Sequence, residues 1–307
     1  MNVMKKTYHI CLSAGNEVMF RDEKDYIRGF NSFALALYKT QSTGLVESFM
    51  SNHCHMVVQT SEPKDFMRSM RMSYSKYFNI RYDRSGSVGE KQWFVMEVSG
   101  LYHHIAAMSY VLRNPLHHGV SPTSYGYPHS SVNVIFKKEM GKFHSDKTIH
   151  PRFIARHIGK RAEYPSHYKM NEAGLFLRET VLDIPQVEHF YVTPRTFDYY
   201  MNRKSSEEWI KEQQKDDNGD ISICLDNIET GTCLQATDKM LVLENGRADY
   251  RRISDIDLCK EIDLVHLPVL GVSSIYQLGI EAKKYLAEKL YRKYRVPEDQ
   301  IKRCLAM

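Results

Sequence analysis

The sequence predicts an α+β protein, with an antiparallel sheet and its helices in the first half of the chain and a mainly helical region in the second. Two observations carry this prediction. Over residues 1–120, stretches with the two-residue alternation of strands take turns with stretches of helical apolar spacing, in the order β-α-β-β-α-β-α. The second half ends in two basic segments with helical spacing. Such an order is typical of the split βαβ plan, in which helices cover one face of the sheet.

The first four elements each have a local signal. TYHICLSA, near the N-terminus, is predicted to be a strand, and the segment from Asp22 to Gln41 has acids in its first turn and apolar residues at helical spacing. Gly44 begins a second extended run, LVESFM. Ser51-Asn52 then gives a turn signal, and HCHMVVQT, His53 to Thr60, is the partner strand.

The next three elements complete the order. Glu62 to Tyr82 is predicted to form an amphipathic helix with proline in its first turn, and Lys91 to Val98 a fourth strand. Leu101 to Arg113 is predicted to form a third helix that stops at Asn114-Pro115, because proline disfavours the helical conformation in the residue before it. Together these elements describe a ferredoxin-like antiparallel sheet.

His150-Pro151 marks the expected boundary between a first domain, residues 1–150, and a C-terminal region, residues 151–307. A polar helix is expected from Glu207, while residues 221–272 hold short apolar runs without a clear assignment. Segments 274–294 and 298–305 are predicted to be two helices joined by a turn. This basic hairpin, residues 274–305, resembles the start of a helix-turn-helix. Its cations, Arg303 among them, either contact a DNA backbone or belong to a hairpin that packs on the first domain.

The composition excludes several classes of protein. The chain has 307 residues, of which 42% are hydrophobic and 26% charged, as in ordinary globular proteins. No apolar run approaches the ~18 residues of a membrane span, and the N-terminal stretch lacks the features of a secretory signal. We therefore expect a cytoplasmic protein without membrane contact. The six cysteines form no CxxC pair, which argues against a zinc ribbon and a disulfide framework.

The net positive charge of the chain lies in its first half, because acids are scarce there. Residues 1–150 contain 18 of the 42 lysines and arginines but only 12 of the 37 acids, and they hold ten of the 14 histidines. This distribution fits a polyanion partner such as nucleic acid, although an ordinary solvated surface can have the same composition.

His53 and His55 are the first candidates for a functional site. Residues two apart on a strand point to the same side, so both imidazoles project from one face while Cys54, Met56 and Val58 face the other. Two imidazoles in this arrangement can share one divalent metal ion. Two surface histidines, or two that are merely hydrogen-bonded, would give the same spacing.

Tyr110, Arg113 and Asn114 form a second cluster on the third predicted helix. Tyr110 and Asn114 are four residues apart and therefore share one helix face. The tyrosine offers a nucleophilic phenol, the asparagine a carbonyl oxygen as a third metal ligand, and Arg113 a phosphate contact. The chain has 20 tyrosines, and an aromatic residue at this spacing can equally belong to the core.

The second predicted helix interleaves cations with aromatic rings. Arg68, Arg71 and Lys76 are candidates for contacts to DNA phosphates, and Tyr77 and Phe78 for stacking on unpaired bases. In the other interpretation, the rings face the core and the cations form a solvated surface.

Taken in order, these residues resemble the HUH-type single-tyrosine transposases, and especially their REP-associated tyrosine transposase branch. The likeness covers roughly residues 5–131. It comprises an opening YH strand, FRDEKDY, SNHCHMVVQT where the family has a His-hydrophobic-His strand, a basic helix with YFN, SYVLRNPLHHGV with its tyrosine and Asn-Pro, and YGYPHSS. Two features depart from the family pattern: Cys54 replaces a bulky aliphatic residue, and GEKQWFVMEV contains an unexpected tryptophan.

The resemblance implies a role for each candidate residue. Tyr110 would be the nucleophile, while His53, His55 and Asn114 would hold Mg²⁺ or Mn²⁺. Members of the family cleave and rejoin single-stranded or hairpin DNA through a 5′-phosphotyrosine link, without a nucleotide cofactor. They occur as monomers and as dimers with shared active sites, and the long C-terminal half of this chain favours a monomer.

Three alternatives follow from the same residues. A rolling-circle nuclease or relaxase uses related chemistry, but with more histidine ligands or paired tyrosines. A domesticated, non-catalytic relative would bind hairpin or single-stranded DNA with the same fold. An unrelated ferredoxin-like module with an incidental HxH predicts that His53 and His55 lie far from Tyr110.

Overall fold

The computed structural model describes residues 4–142, 146–202 and 253–307. Four antiparallel strands form its sheet in the order β2-β3-β1-β4: β1 is Lys6–Ser13, β2 Thr43–Phe49, β3 His53–Thr60 and β4 Phe94–Val98. The strand order is that of the split βαβ plan, so the α+β, ferredoxin-like fold class is confirmed. The fourth strand begins at Phe94 and not at Lys91 as predicted, because pairing with β1 starts only there.

Two helices cover one face of the sheet. α1, Glu23–Lys39, begins after Asp22, whose side chain accepts a hydrogen bond from the Asp25 N–H. α2, Pro63–Tyr82, begins with the proline that the sequence placed in its first turn. Their apolar side chains meet the sheet in a phenylalanine-rich core, in which Phe33 and Phe66 contact each other edge to face.

A third helix, α3, Leu101–His117, covers the opposite face, so the prediction that the helices cover one face is wrong for α3. Its His104 Nε2 lies 2.9 Å from Thr7 Oγ1 of β1. Both faces of the sheet carry buried apolar side chains, such as Val58 on the α1–α2 side and Val57 on the α3 side. Each face therefore needs a cover.

α3 continues through Asn114-Pro115 to His117, whereas the sequence predicted a stop at that dipeptide. The missing proline N–H falls in the last turn of the helix, and the Pro115 carbonyl still accepts from Val120 N at 2.9 Å. The continuation keeps Asn114 on the helix, on the same face as Tyr110.

Residues 151–202 form four short helices whose apolar residues join the same hydrophobic core as the sheet. They are α4, Pro151–Ile158; α5, Arg178–Val181; α6, Ile184–Tyr191; and α7, Pro194–Asn202. Arg178 Nε donates to the buried Glu47 carboxylate of β2 at 2.6 Å. The division of the chain at His150-Pro151 stays a prediction.

Residues 253–307 form a second, smaller helical core. α8, Asp255–Glu261, continues through a widened turn, Ile262–His266, into α9, Leu267–Val269; the last helices are α10, Ile280–Tyr294, and α11, Glu298–Leu305. The helix predicted over 274–294 begins only at Ile280, because a short 3₁₀ turn, Ile275–Gln277, comes first. The segment from Glu207 and most of residues 221–272 lie outside the described residues.

One ion pair and one hydrogen bond link this C-terminal core to the loops that follow β1 and β2, and a buried ion pair lies within the core. Arg21, 1% exposed, donates from Nε and Nη2 to the two carboxylate oxygens of Asp263 at 3.0 and 2.6 Å. Asp255 accepts from Arg303 Nε and Nη2 at 2.8 and 2.9 Å and from Ser51 Oγ at 2.7 Å. Arg303 therefore serves the protein interior, which agrees with the alternative of a hairpin that packs on the first domain and not with a DNA contact by this residue.

None of the helices in the described part of the chain has the length and apolar character needed to cross a membrane.

Candidate active site

A tight turn fixes the start of β3. Met50 N donates to His53 O at 2.7 Å, and Ala14 N donates to Asn52 O at 2.7 Å. The Asn52 side chain is held at both ends, because Nδ2 donates to Gly15 O at 3.0 Å and Oδ1 accepts from His53 Nδ1 at 2.8 Å. The turn thus sets the orientation of the His53 ring.

His53 and His55 lie on the same face of β3, as the alternation of the strand requires, and both are fully buried. The register places Ser13 of β1 opposite His53 and Cys11 opposite His55. Cys54 points into the core on the other face, and burial raises the pKa of its thiol to about 12. Its thiol is therefore protonated at neutral pH, as suits a small apolar core residue.

His55 is oriented by a histidine of the neighbouring strand. His55 Nδ1 and His9 Nε2 share a hydrogen bond of 3.0 Å, and the two rings are stacked with an interplanar angle of 19°. His55 Nε2 lies 3.9 Å from Cys11 Sγ. Because the Nδ1 atoms of both His53 and His55 are engaged, the Nε2 atoms are the ones left to bind a ligand.

α3 brings Tyr110 and Asn114 onto these histidines. Asn114 Oδ1 lies 3.1 Å from His53 Nε2. The Tyr110 ring meets His55 and His9 edge to face, with centroid distances of 5.4 and 5.7 Å. Asn114 is fully buried and Tyr110 is 7% exposed. This geometry contradicts the alternative in which an incidental HxH lies far from the tyrosine.

Three further histidines surround the cluster, and sequence reasoning assigned none of them a role. His9 stacks on His55, the His118 ring lies 5.2 Å from that of His53, and the His117 ring lies 6.3 Å from that of Tyr110. The YH and LHHGV motifs contain all three residues. Their meeting depends on the register of β1 against β3 and on the path of α3, which no local pattern fixes.

Burial keeps the imidazoles of His9, His53 and His55 neutral. Desolvation lowers the pKa of His9 to about 3 and that of His53 to about 4. It also holds the pKa of His55 well below its ordinary range, with the neighbouring His53, His9, His118 and His117 adding to the effect. Neutral imidazole is the form that binds a metal ion.

The donor atoms present fit a divalent metal ion. Because His53 Nδ1–H donates to Asn52, the lone pair of His53 Nε2 faces Asn114 Oδ1, and two acceptors 3.1 Å apart repel each other unless a cation lies beside them. Ligands about 2.1 Å from Mg²⁺ and at right angles are about 3 Å apart. Without a cation, the amide can turn so that Nδ2 donates to Nε2. With Oδ1 facing His53, Nδ2 is buried and has no hydrogen-bond partner.

Among the described residues, no three His, Cys, Asp or Glu side chains form a group that could hold a metal ion. A metal ion bound by His53 and His55 therefore needs a ligand of another kind. The amide oxygen of Asn114 lies beside His53 and has the chemistry that Mg²⁺ and Mn²⁺ prefer.

The four cations predicted to contact DNA do not form one patch. Arg113 is half-buried on α3, whereas α2, on the opposite face of the sheet, carries the other three. Arg68 is exposed and pairs with Asp65 at 2.8 Å, and Lys76 is exposed. Arg71 donates from Nε and Nη2 to two carbonyls of the loop before β4, at 2.9 and 2.6 Å.

No protein-family model matches the chain, and no curated protein matches it. Among solved structures, the chain is similar to a REP-associated tyrosine transposase bound to a REP hairpin, with 9% sequence identity. The match covers 49% of this chain and 91% of that chain, with a TM-score of 0.38. A likeness of this size says nothing about chemistry.

Proposed function

We propose that the chain is a metal-dependent enzyme that cuts and rejoins single-stranded DNA, a single-tyrosine transposase of the HUH type. One observation carries the proposal: α3 holds Tyr110 over His55 and, one helical turn later, Asn114 beside His53. A phenol, two neutral imidazoles and an amide oxygen thus converge. The long second half of the chain favours a monomer.

Each side chain has a distinct task in the proposed reaction. His53, His55 and Asn114 would hold Mg²⁺ or Mn²⁺, which supplies charge neutralisation at the scissile phosphate. Asn52 and His9 keep the two imidazoles in the orientation that leaves Nε2 free.

Tyr110 carries the covalent step. A tyrosine phenol has an ordinary pKa of about 10, so it needs a neutralised phosphate as its electrophile. The Tyr110 oxygen attacks phosphorus, the bond to the 3′ oxygen breaks, the phenol proton passes to water, and the departing oxygen becomes a 3′-hydroxyl. The 5′ phosphate stays on the tyrosine. A DNA 3′-hydroxyl can then reverse the step, because the bond energy is kept in the ester.

The proposed substrate is single-stranded DNA next to a hairpin. The excess of lysine and arginine over acids in residues 1–150 supports a polyanion partner. The cytoplasm is the compartment in which such a protein would meet DNA.

The burial of Tyr110 supports a second candidate function. With 7% of its surface exposed, the ring is placed as a core residue would be. A non-catalytic, domesticated protein that binds hairpin or single-stranded DNA would have the same arrangement, and it would need neither metal nor phenol.

Covalent trapping tests the proposal. The protein is mixed with Mn²⁺ and labelled single-stranded hairpin DNAs from the flanks of its own coding sequence, and a denaturing gel shows any labelled protein. We expect a covalent band that disappears in Tyr110→Phe, in His55→Ala and with a chelator. Tyr102→Phe, on the same helix, is the matched control and should keep the band.

The outcomes separate the candidates. A band that survives Tyr110→Phe but not Tyr102→Phe would move the nucleophile to Tyr102 and refute our assignment. No covalent band, together with a salt-sensitive mobility shift on a native gel, would favour the non-catalytic binder, because binding by basic contacts alone weakens steeply with salt.

A further inference from the structure

A basic concave surface lies between α2 and the edge strand β4. This groove, which we call the α2–β4 groove, has a volume of about 680 Å³. Its lining includes four cations, one tryptophan and an exposed methionine: Lys64, Arg68, Arg71, Lys91, Trp93 and Met72. None of the described residues that line it is acidic.

Hydrogen bonds between α2 and the loop before β4 hold the wall of the groove in place. Arg71 reaches from α2 to the loop before β4, where its Nε donates to Val88 O at 2.9 Å and its Nη2 to Gly89 O at 2.6 Å. The Val88 N–H donates to Ser75 Oγ of α2 at 2.8 Å. These bonds hold the loop that carries Lys91 and Trp93 at a fixed distance from the helix.

The groove lies back to back with the candidate active site, across one strand. Side chains on β4 alternate, so Trp93 and Val95 line the groove while Phe94 points to the other face. There the Phe94 ring meets His9 edge to face, with centroids 5.3 Å apart. An elongated ligand that lies along the groove therefore runs beside β4, the edge strand that borders the histidine cluster.

We propose that the α2–β4 groove binds an unpaired stretch of single-stranded DNA that flanks the DNA held at Tyr110. The inference rests on the proposed function and adds a second contact to it. Charge complementarity identifies the occupant as a polyanion, because the lining carries four cations and no acid, and Asp65, outside the lining, is paired with Arg68 at 2.8 Å. The half-buried indole of Trp93 and the exposed thioether of Met72 offer apolar surfaces on which unpaired bases stack.

Intrinsic fluorescence provides a direct reading of the groove. The chain has two tryptophans, so Trp209→Phe leaves Trp93 as the single reporter. This full-length variant is titrated with oligothymidylate of about twelve nucleotides, a length within the usual site sizes for single strands. The buffer contains a chelator, so that no covalent step takes place. We expect quenching of Trp93 that saturates together with the anisotropy of a labelled oligonucleotide.

Charge reversal locates the contact. Lys64→Glu and Lys91→Glu should each weaken binding about fivefold or more and reduce the slope of log K against log salt by about 0.7, as expected for one lost phosphate contact. Lys39→Glu is the matched control, an exposed lysine in the last turn of α1 that does not line the groove. It should change affinity less than about twofold.

Three results would overturn the inference: saturating anisotropy without quenching of Trp93, groove variants that behave like Lys39→Glu, or polyglutamate that competes as well as oligothymidylate. Preferential binding of the corresponding single-stranded RNA would refute the assignment to DNA. The covalent assay on the same variants separates this inference from the proposed function. Binding of the oligonucleotide in the groove without a covalent band would refute the proposed chemistry alone. A covalent band, together with groove variants that bind the oligonucleotide as well as the parent does, would refute the groove contact alone.

Discussion

Asn114 and His53 are 61 residues apart in sequence, yet Asn114 Oδ1 lies 3.1 Å from His53 Nε2 in the folded chain. The contact joins the last turn of α3 to the first residue of β3. Because His53 Nδ1 is already bound to Asn52, Nε2 is the ring nitrogen that faces Asn114 and that would face a bound ligand. Metal affinity is therefore the property that reports changes at Asn114.

Asn114 is expected to contribute a metal-binding oxygen. Asn114→Asp adds a negative charge to the ligand set and should tighten Mn²⁺ binding about tenfold, whereas Asn114→Ala should weaken it by about tenfold or more. Titration of Mn²⁺ followed by electron paramagnetic resonance measures both. Asn202→Asp, an exposed residue at the end of α7, is the control. Equal affinities in all four proteins would show that Asn114 is not a ligand.

His9 is expected to position His55 without binding metal. His9→Phe keeps an aromatic ring but removes the hydrogen bond to His55 Nδ1, so Mn²⁺ affinity should fall about 10–100-fold. The melting temperature should fall by a few degrees, because the buried His55 Nδ1 loses its hydrogen-bond partner. His189→Phe, exposed on α6, controls for loss of a histidine. An unchanged affinity in a folded His9→Phe protein would contradict this role.

His129 is expected to make the fold acid-sensitive. Burial lowers its pKa from 6.5 to about 3, with the charges of Arg178 and Lys260 adding to the effect. Its ring stacks on Tyr26 with centroids 3.6 Å apart, and Glu23 Oε2 lies 3.5 Å from its Nε2. Between these two pKa values the unfolded chain binds a proton here that the folded chain does not. The contribution of neutral His129 to the unfolding free energy is therefore fully present above pH 6.5 and is lost as the pH falls toward 3.

A difference of one bound proton between the unfolded and the folded chain changes the unfolding free energy by about 1.4 kcal/mol per pH unit. His129→Phe should reduce the slope of the unfolding free energy between pH 6 and 4 by about that amount, with the other buried histidines supplying the rest. Urea unfolding at several pH values measures the slope, and His189→Phe should leave it unchanged. A His129→Phe protein with the slope of the parent would refute the assignment.

Asp255 and Arg303 are expected to be strongly coupled. Arg303→Met removes two guanidinium hydrogen bonds from the buried Asp255 carboxylate and should cost about 3–5 kcal/mol of unfolding free energy. Asp255→Leu should cost a similar amount, while the double variant should recover part of the loss. Arg292→Met, which breaks an exposed pair with Glu288, should cost less than about 1 kcal/mol. Additive losses in the double variant would show that the two residues act independently.

For residues 1–120 and for the two last helices, the sequence by itself determined the local elements and their order, whereas the short helices between residues 151 and 202 had no clear local signal. β3 runs from His53 to Thr60 and α11 from Glu298 to Leu305, as predicted, because turn residues bound one and Pro297 precedes the other. The common face of His53 and His55 also followed from the sequence alone, since the alternation of a strand is a property of its backbone.

Only the tertiary structure decided which elements meet. The crossing of α3 over the sheet face opposite α1 and α2 brings Tyr110 to His55, and the register of β1 against β3 pairs His9 with His55. The contact of the buried Arg303 with Asp255 was likewise decided by the tertiary structure. Local signals depend on neighbours within a few residues, whereas these contacts depend on which apolar faces cover each other and in which register, a property of the whole chain.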